Sequence, residues 1–145
     1  MGRTSTSNQG LTLKDLSGRI SKNFFVSQAK VARVLQTWIT AGVVVPEGDV
    51  HQGVGIYRTF KDSELYKAAL IFDLTRYSFP IHRLCKIRFM IDRELKKNPG
   101  ILAEAAQGKE WYLWFSFLPG KLYVKGILGE DPMVGEFIQK PYNEK

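Results

Sequence analysis

The sequence predicts an α+β fold, with helices up to Asn98-Pro99-Gly100 and a small β unit after it. Three observations predict it. Apolar residues recur at helical spacing in successive stretches before that boundary. The segment Ile56-Tyr57-Arg58-Thr59-Phe60 interrupts them after a Gly/Pro-rich turn and has strand-like composition. Beyond Lys109, aromatic runs separated by Pro119-Gly120 replace the helical period.

The elements follow in order. Residues 1–10, MGRTSTSNQG, lack the apolar core of a signal peptide and read as a flexible start. Thr12 can cap a helix over about residues 13–21, with Leu13, Leu16 and Ile20 at helical spacing. A polar turn is expected around Lys22-Asn23. Ser27 then caps a stronger helix that runs to Ala41, with Val31, Val34, Leu35, Trp38 and Gly42 on one stripe. Gly42 is placed to end it. Val43-Val44-Val45 is β-branched and stops at Pro46, which predicts a short strand. Glu47-Gly48-Asp49 and Gly53–Gly55 supply turn chemistry, and Ile56–Phe60 returns as the partner strand. His51, at the tip, reads as a solvated loop residue because no second ligand type accompanies it.

Ser63–Tyr77 reads as a third helix, with Leu65, Ala68, Ala69, Phe72 and Leu74 mostly inward. Ser78-Phe79-Pro80 breaks it, and a basic fourth helix follows over about residues 81–97. Its apolar positions are Ile81, Leu84, Ile87, Ile91 and Leu95, while Arg88, Asp92 and Glu94 read as surface ion pairs. Ile101–Ala106 suits one or two helical turns. Glu110–Leu118 and Lys121–Leu128 suit a hairpin, and Val134–Ile138 could add a third strand. The chain therefore divides into a helical part, 11–97, and an aromatic β-rich extension, 98–145.

Composition narrows the function. A chain of 145 residues with 44% hydrophobic and 12% aromatic residues can bury a core, which excludes global disorder. Lys and Arg outnumber Asp and Glu by 21 to 14, a net charge of +7 that favours an anionic partner. One cysteine, Cys85, excludes an internal disulfide framework and any cysteine cluster for zinc or iron–sulfur, so no metal or other cofactor is expected. No apolar run reaches membrane-spanning length, which points to a cytoplasmic protein rather than a membrane one. Phosphate loops, nucleophile–base signatures and paired carboxylates in a Gly-rich context are missing, so the chain does not read as an enzyme.

The helix Ser27–Ala41 carries the chemistry that suits an anionic polymer. Arg33, Gln36, Thr37 and Thr40, with the small Ala29, lie within about a 100° arc opposite the apolar stripe. Arginine, glutamine and threonine can each hydrogen-bond base edges or phosphates in a major groove. An ordinary solvated helix face has the same composition. The neighbouring Tyr57-Arg58 adds to the DNA reading: arginine offers a phosphate-binding fork and tyrosine an anchor for its strand.

The order helix, helix, wing, helix, helix resembles the DNA-binding domain of the MerR-type transcriptional regulators. Leu35-Gln36-Thr37-Trp38 and Gly42-Val43-Val44-Val45-Pro46 look like that family's Leu-Arg-Tyr-Tyr and Gly-Leu-Leu-x-Pro stretches. Tyr57-Arg58-Thr59-Phe60, followed by Lys61-Asp62-Ser63-Glu64-Leu65, looks like its wing and next helix start. The resemblance covers about residues 11–95 and is most specific from Gly42 to Leu65. It implies a winged helix-turn-helix with two further helices, while the small C-terminal β-hairpin or three-stranded β unit is read from the aromatic runs after residue 98 and lies outside the resemblance.

It also implies double-stranded DNA as partner, with the second helix in the major groove. Arg33, Gln36, Thr37 and Thr40 would then read the groove, Tyr57 would anchor the wing, and Arg58, Lys30 and Lys61 would hold phosphates. Gln36 stands where the family commonly has arginine, and glutamine can read adenine. No heptad helix of the family's kind follows residue 97. Homodimerisation is therefore expected of Trp111, Trp114, Phe115, Phe117 and Tyr123 in the extension. A small-molecule effector is compatible with this reading, as are two alternatives. One is an excisionase-like architectural protein of a phage or mobile element; the other is a ligand- or protein-binding module built on the aromatic segment.

Overall fold

The computed structural model describes residues 10–48, 58–110, 112–117 and 124–129, the last two segments by their backbone. Its order is β1 (Leu11–Thr12), α1 (Leu13–Phe24), α2 (Gln28–Ala41), β2 (Thr59–Phe60) and α3 (Asp62–Asp73), then a 3-10 turn at Leu74–Tyr77. After it come α4 (Ile81–Lys97), α5 (Ile101–Ala106), β3 (Tyr112–Phe117) and β4 (Val124–Gly129). Helices dominate, and the strands form two small antiparallel pairs, an α+β arrangement. The chain divides into two compact units, Met1–Ile81 and His82–Lys145.

In the first unit, α1 begins where Thr12 forms a reciprocal capping box with Asp15. It runs beyond the polar turn expected at Lys22-Asn23 and ends at Phe24, because the backbone closes only at Phe25 and Val26. Ser27 caps α2 by accepting the Lys30 amide hydrogen bond, and Gly42 closes it in the left-handed region at φ 85°. The α1 face of Leu16 and Ile20 and the α2 face of Val31, Leu35, Trp38 and Ile39 are buried. Phe72 of α3 joins them, with its ring 5.2 Å from Phe24 and 6.1 Å from Trp38 between centroids. Three helices thus meet around one aromatic junction.

The strand expected at Val43–Val45 does not form. The Val43 and Val44 amides both donate to the Trp38 carbonyl, at 2.8 and 3.3 Å, which wraps them onto the end of α2. Their side chains are buried and their amides are spent, so neither amide can donate to a ladder there. The Val45 amide instead donates to the buried Glu64 carboxylate of α3, at 3.0 Å. Pairing begins one step later, where the Glu47 amide donates to the Thr59 carbonyl at 2.8 Å.

Nor is Val43–Val45 the partner of the returning strand. β2 pairs antiparallel with β1, Leu11 opposite Phe60 and Thr12 opposite Thr59. This pairing brings the chain start against the segment entering α3. A Cβ on Gly10 would stand 2.9 Å from both the Phe60 carbonyl and the Glu47 carboxylate, so only glycine fits that approach. The tip of the expected hairpin, with His51 and Tyr57, lies outside the described residues.

The third helix is also shorter than its periodicity predicts. The Thr75 hydroxyl donates to the Phe72 carbonyl and Arg76 Nε to the Asp73 carbonyl, so side chains compete for the acceptors that would continue the α-helix. A 3-10 turn replaces its last part, and Ser78 closes that turn at φ 54°.

In the second unit, α4 buries Leu84, Ile87, Met90 and Ile91. Ile81 is exposed and Leu95 half-buried, so Met90 belongs to the apolar stripe and Ile81 does not. Arg88 Nε donates to both Asp92 carboxylate oxygens, at 2.9 and 3.0 Å, with the Arg88 side chain buried rather than on the surface. Glu94 is buried as well, with Lys97 3.5 Å away. β3 and β4 pair antiparallel from Tyr112 opposite Gly129 to Phe117 opposite Val124. The expected strand at Val134–Ile138 lies outside the described residues. Among the described residues, no helix is long and apolar enough to cross a membrane.

Candidate nucleic-acid interface

The candidate surface is built on α2. Burying Val31, Leu35, Trp38 and Ile39 fixes the rotation of the helix and turns the opposite side outward. Lys30, Arg33, Gln36, Thr37 and Thr40 are all exposed there, with Ala29 beside them. The expected groove-reading residues therefore share one outward face. No Asp or Glu occurs anywhere in α2, so nothing on the helix neutralises its two cations.

The hydroxyls on this face are already oriented. Thr37 donates to the Arg33 carbonyl and Thr40 to the Gln36 carbonyl, both at 3.2 Å. Each hydroxyl proton is thus turned back onto the helix, leaving oxygen lone pairs and a methyl group outward. In that state the two threonines accept from amino groups or pack on methyl groups. Arg33, Lys30 and the Gln36 amide supply the donors.

α1 supports the surface from behind. Gln28 Nε2 donates to the Lys14 carbonyl at 3.3 Å and lies 3.5 Å from Ser17 Oγ, so the first turn of α2 is tied to the first turns of α1. Together α1 and α2 carry five exposed cations, Lys14, Arg19, Lys22, Lys30 and Arg33, against one carboxylate, Asp15. That carboxylate is engaged locally. It accepts the Thr12 amide at 2.8 Å and the Thr12 hydroxyl at 2.9 Å, and these hydrogen bonds hold its pKa below the usual carboxylate value. Lys22, Lys30 and Arg33 make no ion pair among the described residues.

The remaining expected contacts flank β2. Arg58 is half-buried immediately before it, and Lys61 is exposed at the N-cap of α3. The base from which Arg58 emerges is fixed by the Glu47–Thr59 pairing, in which the Thr59 hydroxyl also donates to the Glu47 carboxylate at 3.2 Å. Tyr57 lies outside the described residues. So do Trp111 and Tyr123, while Trp114, Phe115 and Phe117 fall within β3, whose backbone pairs with β4.

No family model, curated protein or solved structure matches this chain. The site therefore rests on its own geometry.

Two residues that shape the surface are not singled out by sequence reasoning. Glu64 reads as part of a helix start, yet its carboxylate anchors the segment leaving α2. Phe25, just past the turn expected at Lys22-Asn23, has no role assigned from sequence, yet it stands 96% exposed in the turn between α1 and α2. A glycine-free turn, Asn23-Phe24-Phe25-Val26, is the sequence signal for the second of these.

Proposed function

We propose that the chain is a DNA-binding transcriptional regulator of the MerR-like winged helix-turn-helix type. In this reading α2 enters the major groove, Arg58 grips the phosphate backbone beside it, and the segment 48–58 forms the wing. One observation supports it above the others. The side of α2 opposite its buried stripe is wholly polar or small, bears Lys30 and Arg33, and has no acid to oppose a phosphate. Homodimerisation through the β3–β4 extension belongs to the same proposal, as does cytoplasmic, nucleoid-associated action.

Binding to a random-sequence duplex library, followed by sequencing of the retained DNA, tests it. A preferred site should emerge. Arg33→Ala should cost about 1–3 kcal/mol on that site and relax the preference at a base position. Arg58→Ala should weaken selected and unselected DNA alike. If both variants bind every duplex as the unaltered protein does, α2 and the wing are not the DNA surface.

A further inference from the structure

Phe25 combines two unfavourable properties. Its side chain is 96% exposed, and its backbone sits in the left-handed region at φ 54° and ψ 38°. Glycine is the ordinary residue at such a helix end, because a Cβ there crowds the following carbonyl. The conformation is nevertheless held firmly. The Phe25 and Val26 amides both donate to the Ser21 carbonyl, and the Ser21 hydroxyl donates to the Val26 carbonyl at 2.5 Å. An apolar ring is thus fixed outward where burial does not stabilise it.

Its surroundings point to the occupant. Phe25 stands two residues before Ser27, the N-cap of α2. The N-terminal end of a recognition helix is the part that enters a groove. Lys22 of α1 and Lys30 and Arg33 of α2 flank the turn, all exposed, and no acidic residue lies between Gly18 and Pro46. A negatively charged partner with apolar patches matches that combination. Duplex DNA is such a partner, since thymine C5-methyl groups and deoxyribose faces lie between its phosphates.

We infer that Phe25 is a DNA contact, an apolar side chain held in the left-handed turn so that it meets a thymine methyl or a deoxyribose face as α2 enters the groove. This rests on the DNA-binding reading above. It adds a contact residue outside the helix and accounts for a strained apolar residue standing at an exposed turn.

The test uses the full chain and two random-sequence duplex pools, one made with thymine and one with uracil. Phe25→Gly should raise Tm by about 3–5 °C, because strain is relieved. It should also weaken binding to the thymine pool by about five- to tenfold, more than the loss of one buried methyl group. Loss on the thymine pool alone assigns the methyl group; equal loss on both pools assigns the sugar. Phe25→Asn, which tolerates the left-handed region, should behave likewise, and Phe25→Tyr should retain affinity. Unchanged affinity of the glycine and asparagine variants on both pools overturns the inference while leaving α2 as the DNA surface. If the unaltered protein binds neither pool, the DNA-binding reading itself falls, and this contact with it.

Discussion

At the scale of single residues, Glu64 and Phe25 have opposite physical roles. Glu64 is buried because its carboxylate has a backbone donor to accept, the Val45 amide at 3.0 Å, and Lys67 lies 3.8 Å away. Removing it strands that amide. Glu64→Ala should therefore destabilise the fold by about 1.5–3 kcal/mol, and Glu64→Gln by less, since an amide oxygen can still accept. Urea unfolding of the three proteins, at constant m-value, measures the difference; an alanine variant within 0.5 kcal/mol of the unaltered chain, about the scatter of surface substitutions, would remove Glu64 from this role. Phe25 stands at the other extreme, an apolar side chain with nothing covering it among the described residues. Neither position is legible from residue type. A buried glutamate and an exposed phenylalanine both run against burial preference, and only the hydrogen bonds around them explain it.

At the scale of elements, the helices were the legible part. Ser27 as cap, Gly42 as terminator and the Val31–Leu35–Trp38 stripe define α2 in sequence as they do in structure, because capping and period are local properties. The segment between α2 and α3 was not legible. Val43–Val45 has strand composition, but its amides serve the end of α2 and Glu64, a tertiary choice that β-propensity does not encode. The pairing of Leu11-Thr12 with Thr59-Phe60 joins distant two-residue segments and leaves no periodic trace. The start of α1 yields a pH prediction. Asp15 has its pKa lowered from 3.8, chiefly by the Thr12 amide and then by the Thr12 hydroxyl. A carboxylate with a depressed folded pKa stabilises above its unfolded value and loses that contribution as pH falls through the depressed one. Thr12→Ala should cost about 1 kcal/mol at neutral pH. The Tm advantage of the unaltered chain over Asp15→Asn should shrink as pH drops below 3.8. A constant advantage between neutral and strongly acidic pH would mean that the carboxylate does not support the cap.

At the scale of the whole molecule, the net charge of +7 bears on function only through where the cations sit. Lys67, Arg76, Arg88 and Lys97 are engaged with carboxylates within their own helices or turns. They contribute to the field but are poorly placed to release counterions from DNA. Lys30, Arg58 and Lys61 are the phosphate-reaching set of the proposed interface, and each neutralised phosphate contributes about 0.9 to the slope of log affinity against log salt. One copy on DNA should therefore give a slope of about −2.7, and two copies at paired half-sites about −5.4. The magnitude thus reads the stoichiometry as well as the charge. Arg58→Ala should reduce it by about one per bound copy. Titrating a labelled duplex at several salt concentrations measures this directly. A slope near zero would mean that the exposed cations of α2 and the wing base face something other than a phosphate backbone, and a slope unchanged by Arg58→Ala would remove the wing base from the contact.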